Sequence, residues 1–200
     1  MAQGIREAKQ EMRALVRAAR REMPAAAQRL ARDRLAARLA GLVADAGAAR
    51  VSCYLPQPGE ADPTAFISWA AEHGVEVLLP VSLPGHRLDW ALAGDAGAGP
   101  AAAPGRHGIL EPTGPRLGGD ALASVDLALI PACAVDAAGV RLGWGLGYYD
   151  RALASLAAAA APPPVFAIVH DAELVDALPR EPHDVPIDGV VTPSRILRFP

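Results

Sequence analysis

The chain has 200 residues, a mass of 20.7 kDa and a formal net charge of −3, which fits one domain of ordinary size. Hydrophobic residues make up 52% of it and charged residues 20%, proportions that exclude an intrinsically disordered chain. Because the first 23 residues are rich in charged side chains and the longest apolar run, 152–169, contains three prolines, the sequence predicts a cytoplasmic protein with neither a signal peptide nor a membrane span.

The N-terminal part of the chain is basic and the rest is acidic. Residues 1–50 contain eleven Lys/Arg and five Asp/Glu, whereas residues 51–200 carry a net charge of −9. A basic arm of this kind indicates contact with an anion such as the phosphates of a ligand, and a solvated helix face is the alternative. Because the whole chain is acidic, with a pI near 5.9, we expect no nucleic-acid partner.

The predicted elements begin with two helices. Apolar residues at helical spacing predict one helix over 4–22, and Pro24 opens a second that stops near Gly47. Short apolar strands and helices then alternate. We predict strands over 51–55, 75–81, 87–93, 125–131, 165–169 and 187–191, helices over 64–72 and 149–160, a helical turn through Leu174 and Leu178, and a long loop over 94–119 with an ordered stretch at 108–112. This order predicts a single three-layer αβα domain over residues 1–200, with a mostly parallel sheet and an N-terminal helical pair.

The segment 141–151 carries the strongest chemical signal. It reads Arg-Leu-Gly-Trp-Gly-Leu-Gly-Tyr-Tyr-Asp-Arg, after a predicted strand and at the start of a predicted helix, where open α/β sheets bind ligands. Its alternating glycines can turn backbone N–H groups onto an oxyanion, with a purely structural turn as the alternative. Two tyrosines that can stack on a flat heterocycle follow, and then Asp150, whose carboxylate can hold Mg²⁺.

This segment resembles the signature of the 5-formyltetrahydrofolate cyclo-ligases, also called methenyltetrahydrofolate synthetases. Further similar motifs occur in the same order at 9–13, 55–60, 108–112, 126–131 and 181–188. The resemblance covers residues 6–192. It implies an enzyme that uses ATP and Mg²⁺ to convert 5-formyltetrahydrofolate into 5,10-methenyltetrahydrofolate. Its partners would be its two substrates, 5-formyltetrahydrofolate and ATP, and we expect it to be a monomer.

The resemblance also implies roles for individual residues. The catalytic set is Lys9, Arg141 and Tyr148. The ATP-binding set is Lys9, Arg13, Arg141, Leu142, Gly143, Trp144, Gly145, Leu146, Gly147, Tyr148 and Tyr149. The folate-binding set is Leu55, Glu60, Trp144, Gly145, Leu146, Gly147 and Tyr148. The Mg²⁺ ligands are Asp150 and Asp184.

One departure from the family pattern concerns the glycine segment. Many members have a cation between these glycines, whereas Trp144 and Leu146 stand there in this chain. Neutralisation of the triphosphate then depends on cations elsewhere, or the chain is a non-catalytic nucleotide- or folate-binding paralogue of the same fold. The five histidines show no spacing typical of a zinc site. His183, beside Asp184, either helps to shape the site or makes a local turn hydrogen bond.

Overall fold

The structure, a computed structural model, describes residues 2–94, 101–181 and 184–200. It begins with the predicted helical pair, α1 (Ala2–Glu22) and α2 (Ala25–Ala46). Pro24 precedes α2 with a φ of −60°, and Gly47 ends it in the left-handed region with a φ of 61°. A proline fits the start of a helix and a glycine its end for these conformational reasons.

Four α-helices and twelve strands lie within the described residues. The other two helices are α3 (Thr64–Glu72) and α4 (Tyr148–Leu156). The strands are β1 (Arg50–Ser52), β2 (Glu76–Leu83), β3 (Arg87–Leu92), β4 (Ala102–Pro104), β5 (Leu110–Pro112), β6 (Leu127–Pro131), β7 (Ala134–Asp136), β8 (Arg141–Leu142), β9 (Val165–Ile168), β10 (Leu174–Val175), β11 (Gly189–Val191) and β12 (Ile196–Arg198).

Seven of these strands form the central sheet, in the order β12-β11-β9-β6-β1-β2-β3. Its five inner strands run parallel, and an antiparallel strand lies at each edge. One core cluster packs α2 and α3 against one face, and a second packs α4 and a 3-10 turn at Gly119–Ser124 against the other. This arrangement confirms the predicted three-layer α/β fold.

The order of the sheet reverses at β1. From β1 the chain crosses through α3 to β2 on one side, whereas β6, β9 and β11 lie on the other side. In an open α/β sheet such a reversal leaves a crevice outside the carboxyl ends of the two diverging strands, and ligands bind there. The topology therefore places a binding site at the ends of β1 and β6.

A small second sheet supports α1. It has the order β10-β7-β8, and Val16 of α1 shares an apolar cluster with Leu142 of β8 and with Val140 just before that strand. This contact fixes one face of α1 beside the segment that follows β8.

Several local predictions are wrong. The stretch 94–119 is not one loop: β4 and β5 pair antiparallel, and 3-10 turns occupy Arg106–Gly108 and Gly119–Ser124. The stretch through Leu174 is a strand after a 3-10 turn, and α4 ends at Leu156, four residues before the predicted end. Residues 95–100 of the predicted loop, and Pro182 and His183 of the C-terminal motif, lie outside the described residues. Among the residues described, no helix has both the length and the apolar character needed to cross a bilayer.

Candidate functional site

An open cleft lies at the carboxyl ends of β1, β2 and β6, where the order of the sheet reverses. We call it the inner cleft. Its lining includes Tyr54, Leu55, Glu60, Trp144, Leu146, Tyr148 and Tyr149. Leu55 and Glu60, the two predicted folate-binding residues that lie outside 144–148, therefore both line this cleft.

A second open cleft lies on the α1 side of the same region. We call it the charged cleft, because four cations and three acids line it: Arg6, Lys9, Arg13, Arg141, Asp150, Glu181 and Asp184. The predicted phosphate-binding cations and both predicted metal ligands thus lie in one place, although they come from α1, β8, α4 and the C-terminal segment.

The glycine segment, residues 143–147, separates the two clefts. Gly143 and Gly145 line both of them. Gly145 and Gly147 have φ angles of 97° and 74°, in the left-handed region that favours glycine. A Cβ atom at Gly147 would also lie 2.7 Å from Nη1 of Arg151. Trp144 and Leu146 line the inner cleft and are not among the residues that line the charged cleft.

Lys9 is held between two carboxylates. Its Nζ lies 2.9 Å from Oε2 of Glu181 and 2.8 Å from Oδ2 of Asp184. Burial disfavours the charge on Lys9, but the hydrogen bonds that Lys9 donates to Asp184 and Glu181 outweigh burial and raise its pKa above the ordinary value of 10.5. Lys9 is therefore a cation at neutral pH.

Two arginines complete the positive side of the charged cleft. Arg13 donates from Nε to the carbonyl of Gly143 at 2.7 Å, so α1 is fastened to the glycine segment. Arg141 is buried and forms an ion pair with Asp150. The Nε atom of Arg141 and the hydroxyl of Tyr149 are buried and have no hydrogen-bond partner among the described residues. Buried donors of this kind are costly unless a ligand or water satisfies them.

The acids of the charged cleft fit a magnesium ion. Within the residues described there is no cluster of three or more His, Cys, Asp or Glu arranged to hold a metal. Mg²⁺ does not need one, because it is commonly held by one or two carboxylates together with phosphate oxygens and waters. Asp150 and Asp184 provide that donor set, and here they are paired with Arg141 and Lys9.

Glu60 is the buried acid of the inner cleft. Its side chain is 9% exposed, lies 3.7 Å from Nη1 of Arg20 and accepts a hydrogen bond from the backbone N–H of Gln57. Burial raises the pKa of Glu60, and the Gln57 N–H and Arg20 oppose that rise. A carboxylate held here can accept hydrogen bonds from a ligand with several N–H donors.

The sequence interpretation missed two important residues. It gave Arg20 no role in the site, whereas Arg20 is 6% exposed and pairs with Glu173. It also gave Glu181 no role of its own, whereas Glu181 pairs with Lys9. A usable signal exists for Arg20: it lies eleven positions after Lys9 and seven after Arg13, a spacing that puts all three on one helix face.

Comparisons with known proteins agree on one family. A sequence profile of the 5-formyltetrahydrofolate cyclo-ligase family matches residues 5–193. The chain is similar to the 5-formyltetrahydrofolate cyclo-ligase of Mycolicibacterium smegmatis, with 36% identity over 195 residues and 94% of each chain covered.

Solved structures show the same fold. The NMR structure of the Aquifex aeolicus 5,10-methenyltetrahydrofolate synthetase matches with a TM-score of 0.76 and 27% identity, covering 96% of this chain and 92% of that one. A 5,10-methenyltetrahydrofolate synthetase from Mycoplasma pneumoniae matches with a TM-score of 0.71 and 18% identity, covering 92% and 98% of the two chains.

Proposed function

Because this chain belongs to the 5-formyltetrahydrofolate cyclo-ligase family, as its motifs predict and the match over residues 5–193 confirms, we propose that it uses MgATP to cyclise 5-formyltetrahydrofolate to 5,10-methenyltetrahydrofolate. One observation carries the proposal: the glycine segment stands between an inner cleft lined mainly by apolar and aromatic side chains and a cleft lined by four cations. Two substrates bound in these clefts would meet at the segment.

The chemistry requires positioning more than a nucleophile. The formyl group is amide-like, so its oxygen leaves poorly. Transfer of the γ-phosphoryl group from ATP to that oxygen releases ADP and creates a phosphate leaving group. N10 then attacks the formyl carbon, loses its proton, and closes the ring as phosphate departs. Such a phosphoryl transfer is accelerated by holding the reactants together and by neutralising charge.

The charged cleft supplies the cations for the phosphates. We propose that Lys9, Arg13 and Arg141 bind them, and that Lys9 and Arg141 exchange their carboxylate partners for phosphate oxygens when ATP binds. The exchange would release oxygens of Asp184 and Asp150, the residues that would hold Mg²⁺. When bound, Mg²⁺ supplies further neutralisation of the phosphate charge.

The inner cleft fits the folate. We propose that Glu60 accepts hydrogen bonds from the donor edge of the pterin, with Leu55 and Tyr148 beside its ring. The ring of Tyr148 also makes an edge-to-face contact with the ring of His86, with 5.3 Å between ring centroids. The segment from Trp144 to Tyr148 would then touch the folate, while Gly143 and Gly145 also line the charged cleft.

A spectrophotometric assay tests this proposal. Purified protein is mixed with 5-formyltetrahydrofolate and MgATP, and the near-ultraviolet absorbance of methenyltetrahydrofolate is followed. An increase that requires protein, ATP and Mg²⁺ supports the proposal. Folded protein that binds folate or ATP but gives no increase would contradict it and indicate the non-catalytic paralogue instead.

A further inference from the structure

Arg20 is a buried arginine that belongs to none of the predicted sets of site residues. It lies on the face of α1 that also carries Lys9 and Arg13, and it is 6% exposed. Val16, one turn before it, is buried on the same face. A buried guanidinium is costly to place away from water unless it is paired and hydrogen-bonded, so its partners indicate what it does.

The guanidinium joins four separate segments. Nε and Nη2 donate to the two carboxylate oxygens of Glu173 at 2.6 and 3.0 Å, and Nη2 also donates to the carbonyl of Ala132, just after β6, at 3.2 Å. Nη1 lies 3.7 Å from Oε1 of Glu60. The guanidinium carbon lies 4.7 Å from the ring centre of Trp144, a cation–π distance.

The loop that carries Glu60 is also pressed against α1 at this point. A Cβ atom at Gly59 would lie 3.1 Å from Cβ of Arg20. A ring nitrogen of His170 lies 3.1 Å from the carbonyl of Gly59, and the backbone N–H of His170 donates to Glu173 at 2.9 Å. Arg20, Glu173 and His170 therefore hold the loop in a fixed position from two sides.

We propose that Arg20 is a positioning residue for the folate: it fixes Glu60 and Trp144, which both lie beside its guanidinium, at the geometry that the bound folate requires. This inference rests on the proposed function, because it takes Glu60 and Trp144 as folate contacts. It assigns α1 two tasks, phosphate binding near its start through Lys9 and Arg13, and support of the inner cleft near its end through Arg20.

A pH dependence follows from the charges around Glu60. The groups that face it are Arg20 from α1, Glu173 after β9, Tyr54 after β1 and Tyr149 of α4. Arg20 is the cation of this set. Without it, Glu60 and Glu173 would share the site as two like charges, and protonation of Glu60 would become easier. A protonated Glu60 loses acceptor capacity for the pterin donors.

The experiment compares Arg20→Met and Arg20→Lys with Arg38→Met, a control that removes an exposed arginine from α2. We expect Arg20→Met to raise the KM for 5-formyltetrahydrofolate about 10-fold or more, the size expected when a displaced Glu60 loses one charge-assisted hydrogen bond to the pterin, while the KM for ATP changes less than about 2-fold. In Arg20→Met the folate KM should rise further as pH falls from 8 to 6, and adding Glu60→Gln should abolish that rise.

Arg20→Lys keeps the test decisive if Arg20→Met does not fold. Lysine retains the charge but lacks the planar fork that contacts two partners, so we expect it to remove the pH dependence and to leave a raised folate KM. The inference is overturned if both KM values rise equally in the variants that fold, or if only the melting temperature changes. If the wild-type protein does not turn over 5-formyltetrahydrofolate at all, the proposed function fails instead. Isothermal titration calorimetry of 5-formyltetrahydrofolate into wild type and Arg20→Lys then still tests the positioning role, which predicts weaker binding by the variant.

Discussion

The two ion pairs of Lys9 provide a test of the charged cleft with a magnitude set by its burial. Lys9→Met removes the cation that pairs with Asp184 and Glu181. The side chain of Lys9 is 10% exposed, that of Asp184 14% and that of Glu181 17%. Breaking a buried ion pair costs about 3–5 kcal/mol, whereas an exposed pair is worth about 0–1 kcal/mol. Since these side chains are mostly buried, we expect the free energy of unfolding to fall by about 2–3 kcal/mol, or about 4–12 °C in melting temperature for a chain of this size.

The pH dependence of this loss has a defined sign. The pKa of Lys9 is raised in the folded state above its ordinary 10.5, so the stabilisation by Lys9 is fully present below pH 10.5 and is lost as pH rises through the folded-state pKa. The difference between wild type and Lys9→Met should therefore be constant near neutral pH and should shrink above pH 10.5.

Thermal unfolding followed by circular dichroism measures the loss, with Arg34→Met on the exposed face of α2 as the control for removal of one positive charge. Lys9→Met should also raise the KM for ATP by about 10-fold or more and leave the folate KM within about 2-fold. The double variant Lys9→Met/Asp184→Asn should regain part of the stability, because one unpaired carboxylate is removed, but none of the ATP affinity. A single variant that melts with the wild type, or a double variant less stable than the single one, would refute this account of the cleft.

Further predictions concern the metal ligand, an acid-sensitive turn and the glycine segment. Asp150→Ala should abolish ATP-driven turnover and leave the circular dichroism spectrum unchanged; full activity would remove Asp150 from the metal site. Although burial opposes it, hydrogen bonds from Ser194 and a second hydroxyl lower the pKa of Asp171 below 3.8; its stabilisation is therefore present above pH 3.8 and lost as pH falls through the lower folded-state value. Asp171→Asn should accordingly be less stable than wild type at pH 7 and equal to it at the acid end of a denaturation series. Gly147→Ala should cost about 1 kcal/mol or more, because its φ is 74° and its Cβ would meet a side chain, whereas Gly41→Ala in α2, with nothing within 4 Å, should stabilise by about 0.5–1 kcal/mol; equal melting temperatures for the two would contradict the role given to backbone conformation.

The parts of the fold predicted correctly from the sequence are those with a local signature. The helical pair has helical periodicity, a proline at one boundary and a glycine at another, and the structure begins and ends α2 at those positions. The inner strands are short apolar runs between turn residues, the pattern of a sheet covered on both faces. Such signals arise from neighbouring residues, so they are visible without knowledge of the rest of the chain.

The elements missed from the sequence are those that non-local pairing creates. β4, β5 and β12 each have three residues, and β8 and β10 have two, too few for any periodicity to show. Their strand conformation depends on a partner elsewhere, as when β10 pairs with β7 across nearly 40 positions of the chain. The end of α4 was also predicted too late, because the alanine-rich continuation favours a helix but the chain leaves it at Leu156.

The candidate site shows the same contrast between local sequence signals and contacts made by residues far apart in the chain. Segment 141–151 was predicted as a unit because its glycines, tyrosines and acid are adjacent in sequence. The pairings that shape the two clefts were not predicted, because Arg20 and Glu173 are 153 positions apart and Lys9 and Glu181 are 172 apart. One sequence contains no local signal for such pairs beyond the common face of α1.

The residues between the glycines explain how the chain departs from the commoner family pattern. Many members that the sequence resembles have a cation at the position of Trp144. In this chain Trp144 lines the inner cleft, and its ring centre lies 4.7 Å from the guanidinium carbon of Arg20. The positive charge of the site comes instead from α1 and β8, through Lys9, Arg13 and Arg141. Arg13 and Arg20 hydrogen-bond α1 to the carbonyls of Gly143 and Ala132, so the helix that carries Lys9 is attached to the segments on which both clefts are built. The tryptophan is therefore compatible with the proposed phosphate binding, because the proposed cations lie elsewhere and its ring packs against Arg20.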